Sequence, residues 1–184
     1  MPPSAKSSAQ ASGLTVRLFQ TSDNIPQITS LLHRAYAKQV AMGLKPLAGR
    51  QDDATTLRRV KSGECYLAIQ SGPKGDKTVG TILFHEVEDA KGPPWFQNPH
   101  VDSFSQFAVD PDLQGHGIGQ LLLDKCEARA LECGSTELAL SMAEPDTDLM
   151  RYYEKRGYRF IERWQWPYTN YLSAILSKSL KKQP

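Results

Sequence analysis

The sequence predicts a single α/β domain (α+β in the sense of a mixed sheet), with a central, mostly antiparallel sheet flanked by helices. Three observations lead there. Runs that alternate apolar and polar residues recur between stretches of helical periodicity. Two of those runs, Glu64–Gln70 and Thr78–Val87, are joined by a Gly- and Pro-containing turn over 71–77 that suits an antiparallel hairpin. The strand–helix–strand order across Val101–Met142 requires one parallel pair.

Taken in order, Leu14–Phe19 alternates and reads as the first strand. Ser22 or Asp23 is placed to cap the following helix, with Pro26 in its first turn and Ile25, Ile28, Leu32, Ala35 and Tyr36 as its stripe. Gly43–Asp53 lacks periodicity and is a loop. A short helix over 54–61 ends at Gly63, and the hairpin follows. Asp89–His100 is a second irregular loop. Val101–Val109 is a strand, and glycines at 115, 117 and 119 open a helix whose apolar stripe is Ile118, Leu121, Leu122, Cys126 and Ala130. Thr136–Met142 is a strand, Asp148–Arg156 a short helix, and Tyr158–Trp166 and Tyr171–Leu180 the closing strands. The domain is expected over 14–180, between a loose N-terminal tail (1–13) and a short C-terminal one (181–184).

Composition narrows the function classes. A length of 184 residues supports a core without disulfides or metal. A net charge of +2 and no long basic run give no argument for nucleic acid or an anionic membrane. No apolar run reaches spanning length. Three cysteines without a CxxC pair argue against a disulfide framework or zinc and fit a reducing, cytoplasmic compartment.

The chemistry-bearing stretch is Phe107-Ala-Val-Asp-Pro-Asp-Leu-Gln-Gly-His-Gly-Ile-Gly119. Glycines directly at a helix start let a ligand approach the backbone and leave amide N–H groups unpaired, at the positive end of the helix dipole. Phosphate oxygens suit such a place; a flexible turn is the alternative. A P-loop would need Lys where Gln120 stands. A dinucleotide fingerprint would need GxGxxG, and the sixth position is again Gln120, though Glu137 keeps a Rossmann reading open.

Gln114-Gly-His-Gly-Ile-Gly119 resembles the Q/R-x-x-G-x-G/A signature of the GCN5-related N-acetyltransferase (GNAT) superfamily. Tyr153-Glu-Lys-Arg-Gly157-Tyr158 resembles that family's Y-x-x-x-G-F element, and the element order agrees from Leu14 to Leu180. The resemblance implies acetyl-CoA as cosubstrate, an amine acceptor attacked directly, no metal and a homodimer. It implies that Gln114, Gly115, His116, Gly117, Ile118, Gly119 and Gln120 hold the pyrophosphate. It further implies that Phe107, Ala108 and Val109 line the pantetheine arm in a splayed gap of the sheet, with the Val109 N–H polarising the thioester. Tyr153 matches the tyrosine assigned as acid to the departing thiolate, with a packed or pantetheine-contacting tyrosine as the alternative. Tyr152 is expected to face away by helical geometry.

The base is open, because Ser103 stands where many relatives carry Glu. Glu86, with Glu88 on the same strand face, is the candidate, working through a water; His85 and His100 are further candidates. Substrate choice is expected from Gly43–Asp53, Asp89–His100 and the aromatic stretch Trp164–Tyr171, which lines an acceptor cleft, packs between subunits or covers the sheet. Two functions follow: an N-acetyltransferase of a small-molecule, peptide or protein amine, or a CoA-binding regulatory module without catalysis.

Overall fold

The computed structural model describes residues 13–181; apart from Gly13 and Lys181, the two expected tails lie outside the described residues. Seven strands form one sheet in the order β1-β2-β3-β4-β5-β7-β6. They are β1 (Leu14–Leu18), β2 (Glu64–Gln70), β3 (Lys77–His85), β4 (Val101–Val109), β5 (Glu137–Ala143), β6 (Arg159–Trp164) and β7 (Ser173–Ser179). The helices are α1 (Ile25–Ala35), α2 (Ala37–Ala41), α3 (Asp53–Val60), α4 (Ile118–Glu132) and α5 (Thr147–Glu154). The hairpin β2–β3 is antiparallel, and among the described residues β4–β5 is the one parallel pair, joined through α4 as the sequence order requires.

Side-chain alternation divides the core between the two faces of the sheet. On β2, Tyr66 and Ala68 join a cluster with Leu122, Leu123 and Cys126 of α4, whereas Cys65, Leu67 and Ile69 pack on Ile28 and Leu32 of α1. Gly80 on β3 lets α4 lie close, since a Cβ there would sit 2.9 Å from Leu122 Cδ1. Fully burying a leucine such as Leu122 is worth about 1.5–3 kcal/mol, which anchors the helix that begins at the glycine loop.

Four local expectations change. Asn24 caps α1, accepting from the Gln27 N–H at 2.9 Å, because Asp23 is engaged by Arg17 at 2.7 Å. The α1 stripe stops at Ala35, where Tyr36 breaks the helix and α2 begins. On α4, Leu121 is 47% exposed and the stripe runs through Leu123 instead. The third strand ends at His85, so Glu86 and Glu88 do not share a strand face. Beyond it, the Val87 N–H donates to Asp102 Oδ1 at 3.0 Å and the chain turns into a 3₁₀ segment.

Candidate active site

The parallel ladder runs only from Val101↔Glu137 to Phe104↔Leu140. Beyond it β4 stays with β3 as far as Val109, and β5 stays with β7 as far as Ala143. The two strands therefore part, and 105–109 faces 141–143 across a gap. A bulge in the β3–β4 register accompanies the parting, with Gln106 held at φ +49°. The Asp110 N–H donates to Val79 O on β3 at 2.8 Å. Strand alternation then turns the Val109 N–H the other way, into the gap.

At the mouth of the gap lies the glycine loop. Gly115 and Gly117 sit at φ +81° and +85°, conformations that an L side chain rarely adopts, and a Cβ on either would point into open space. Gly117 caps α4 and no side chain caps the helix, so the N–H groups of Ile118, Gly119 and Gln120 have no acceptor among the described residues. This is a cradle open to phosphate oxygens. His116 turns back on the loop, with Nδ1 3.1 Å from Leu113 O and 3.2 Å from Gln114 O. Asp110, fully buried, fixes the turn before the loop: it pairs with Arg34 at 2.9 Å and Lys77 at 2.8 Å and accepts from the Asp112 N–H at 3.1 Å. Burial works to raise its carboxyl, but the Arg34 and Lys77 hydrogen bonds outweigh that and hold it at about 2.

Behind the gap opens a cavity of about 770 Å³, lined among others by Tyr36, Arg59, His85, Ser103, Gln106 and Tyr153. Tyr153 is 4% exposed, and its hydroxyl makes no hydrogen bond among the described residues. Burial pushes its pKa well above the ordinary phenol range. Tyr152 does not face away from the site: its ring lies 6.3 Å from Phe107, and its hydroxyl would be 2.9 Å from a Cβ on Gly119. A guanidinium explains the placement, because Arg156 stacks on the Tyr152 ring at 3.5 Å while donating to Gln120 Oε1. His85 Nε2 lies 3.2 Å from Ser105 Oγ. Burial, then the nearby Arg59, lowers its pKa, so the ring is neutral at pH 7.

The sequence matches the profile of the Acetyltransferase (GNAT) family over residues 25–158. The chain belongs to the GNAT family. It is 28% identical to the S-(2-succino)cysteine N-acetyltransferase of Bacillus subtilis (strain 168) over 134 residues, which cover 72% of this chain and 76% of the relative. Among solved structures it resembles the ribosomal-protein-S18-alanine N-acetyltransferase from Escherichia coli (TM-score 0.66, 16% identity, covering 93% and 96% of the two chains). It also resembles a GNAT family acetyltransferase from Elizabethkingia anophelis with acetyl-CoA bound (TM-score 0.59, 18% identity, 92% and 99%).

Within this GNAT chain the structure brings most of the sequence-predicted residues together. Phe107, Ala108 and Val109 form the β4 wall, Gln114 to Gln120 the loop, and Tyr153 the cavity floor. Glu86 is the exception. It lies 3.4 Å from Arg129, beside Glu64, and lines a separate shallow pocket with Lys61 and Ser62. Ser103 does reach the cavity, and Asp102 is turned to the other face, held by Val87.

Of the uses expected of the aromatic stretch, covering the sheet is seen, and part of the stretch lines the cavity. Trp164 packs on Phe96 and Ile175 over the sheet, while Trp166, Tyr168 and Tyr171 line the cavity. Residues that sequence reasoning passed over are Tyr36, whose hydroxyl donates to Phe107 O at 3.3 Å, Asp110 and Arg59. Asp110 carried a usable signal, since an Asp-Pro-Asp after a strand is a self-capping turn.

Proposed function

We propose that the protein transfers an acetyl group from acetyl-CoA to the amine of a small molecule or peptide, in the cytoplasm, where its three unpaired cysteines would stay reduced. The observation that carries this reading is the parting of β4 from β5 directly beside an uncapped, glycine-built helix start. Acetyl-CoA supplies the activated acyl thioester; the rest of the chemistry falls to the chain. The loop amides bind phosphate oxygens, and the Val109 N–H donates to the thioester carbonyl as negative charge grows on its oxygen. Tyr153, kept protonated by burial, gives its proton to the departing sulfur.

The base must be unprotonated at working pH and must reach the cavity. His85 meets both conditions, whereas Glu86, paired with Arg129 outside the cavity, fails the second. We therefore assign the amine's proton to His85, with Ser105 as its neighbour. The test compares acetyl-CoA-dependent thiol release by His85→Gln and Glu86→Gln. The first should lose roughly 10²–10⁴-fold in kcat, and the second should stay within about twofold. The wild-type acid limb should lie below the ordinary histidine range, activity falling as His85 gains a proton. The reverse ranking of the two variants would return the base to Glu86. No thiol release with any amine, while acetyl-CoA still binds, would leave a regulatory module.

A further inference from the structure

One wall of the cavity carries hydrogen-bond donors with nothing to receive them. Arg59, in the last turn of α3, is half-buried, and no carboxylate pairs with it among the described residues. Its Nη1 donates to Gln51 Oε1 at 2.5 Å; Nε and Nη2 have no acceptor among the described residues. Gln51 is almost wholly buried and spends its Nε2 on Thr56 Oγ1 at 2.8 Å and on Gln106 Oε1 at 3.0 Å. Thr29, also buried, closes the network on Thr56 at 2.8 Å.

The direction of this chain is forced. A guanidinium can only donate, so Gln51 must turn its oxygen to Arg59 and its nitrogen to Gln106. Gln106 must then answer with its oxygen, which leaves its Nε2 buried and unpartnered. A buried amide donor without an acceptor asks for an explanation. Here the bulge supplies one, because the left-handed backbone at Gln106 sets its side chain on the same cavity as Arg59. Two donors, wired through one buried glutamine and lacking acceptors, fit an acceptor-only group. That group is not the cosubstrate's pyrophosphate, whose cradle of loop amides is no part of the cavity lining. The cavity also carries Glu88 and Asp89, so it offers acidic edges as well as this cationic one.

We propose that Arg59 and Gln106 hold a carboxylate of the acceptor, so that the amine acetylated belongs to an amino-acid-type molecule rather than to a simple alkylamine. The proposal rests on the acetyltransferase reading above and adds the acceptor's class to it.

The test uses common L-amino acids and S-substituted cysteines, each beside its carboxamide and its decarboxylated amine, with thiol release as readout. For those turned over, the acid should exceed its amide in kcat/KM by roughly tenfold to a hundredfold. Arg59→Gln should remove that preference and leave the KM for acetyl-CoA unchanged, with Arg59→Lys in between. Amides accepted as well as acids by the wild type would overturn the proposal while leaving the transferase intact. So would acids and amides losing rate equally in both variants.

Should no amine be turned over, calorimetry of the same acids on CoA-saturated protein decides separately. Binding that Arg59→Gln abolishes keeps the carboxylate site and overturns the transfer reading; no binding overturns the site.

Discussion

Replacing Asp110 by Asn separates the electrostatic ties of the glycine loop from its shape. The side chain is fully buried, with cations at 2.9 and 2.8 Å that are themselves 40% and 53% exposed. Its carboxyl is lowered from the ordinary 3.8 to about 2, which corresponds to about 2 kcal/mol of stability at neutral pH. Solvent screens the half-exposed partners, so the expected loss in Asp110→Asn at pH 7 is about 1–2 kcal/mol.

The sign is fixed by the direction of the shift. A carboxyl held low stabilises the fold above its unfolded value and loses that effect as pH falls through its folded value. Urea titrations of the two proteins should therefore differ at pH 7, and the difference should shrink as pH falls from 3.8 towards about 2. Because its ties to Arg34 and Lys77 fix the turn that leads into the glycine loop, the variant should bind acetyl-CoA more weakly at pH 7. A stability gap that stayed constant from pH 7 to pH 3 would refute the assignment to charge and leave only shape.

Two further predictions concern the donor side. Tyr153→Phe should lower kcat by roughly tenfold or more with little change in acetyl-CoA binding; an unchanged kcat would remove Tyr153 as the acid. Gly117→Val forces a branched residue into φ +85°, costing on the order of 1–3 kcal/mol locally. The rise in Tm caused by acetyl-CoA should vanish in that variant while the ligand-free Tm falls only modestly.

What could be read from the sequence was what neighbouring residues settle among themselves. Strand alternation marked β4 with its observed bounds, and the glycines before Ile118 marked an uncapped helix start. The single parallel pair followed from connection order. Side chains placed by distant partners were not legible. Alternation carried the third strand past Glu86, but Asp102 captures the Val87 N–H and Arg129 draws Glu86 outward. Tyr152 was expected to turn away; Arg156, one helical turn on, instead holds its ring against the loop. Arg59 and Gln106 meet only through Gln51, and no local period records a link that joins a helix to a bulged strand.

The short parallel ladder has a mechanical consequence. Four paired positions join β4 to β5, whereas seven join β5 to β7. The sheet is thus two rafts lashed at one end: β1–β4 carry the glycine loop through α4, and β5–β7 carry Tyr153 through α5. A ligand spanning the open end would touch both rafts at once, and their spacing would set the distance between the glycine loop and Tyr153. Substitutions at the lashing that lie outside the cavity lining, such as Leu138, would then act on reactivity as changes of gauge.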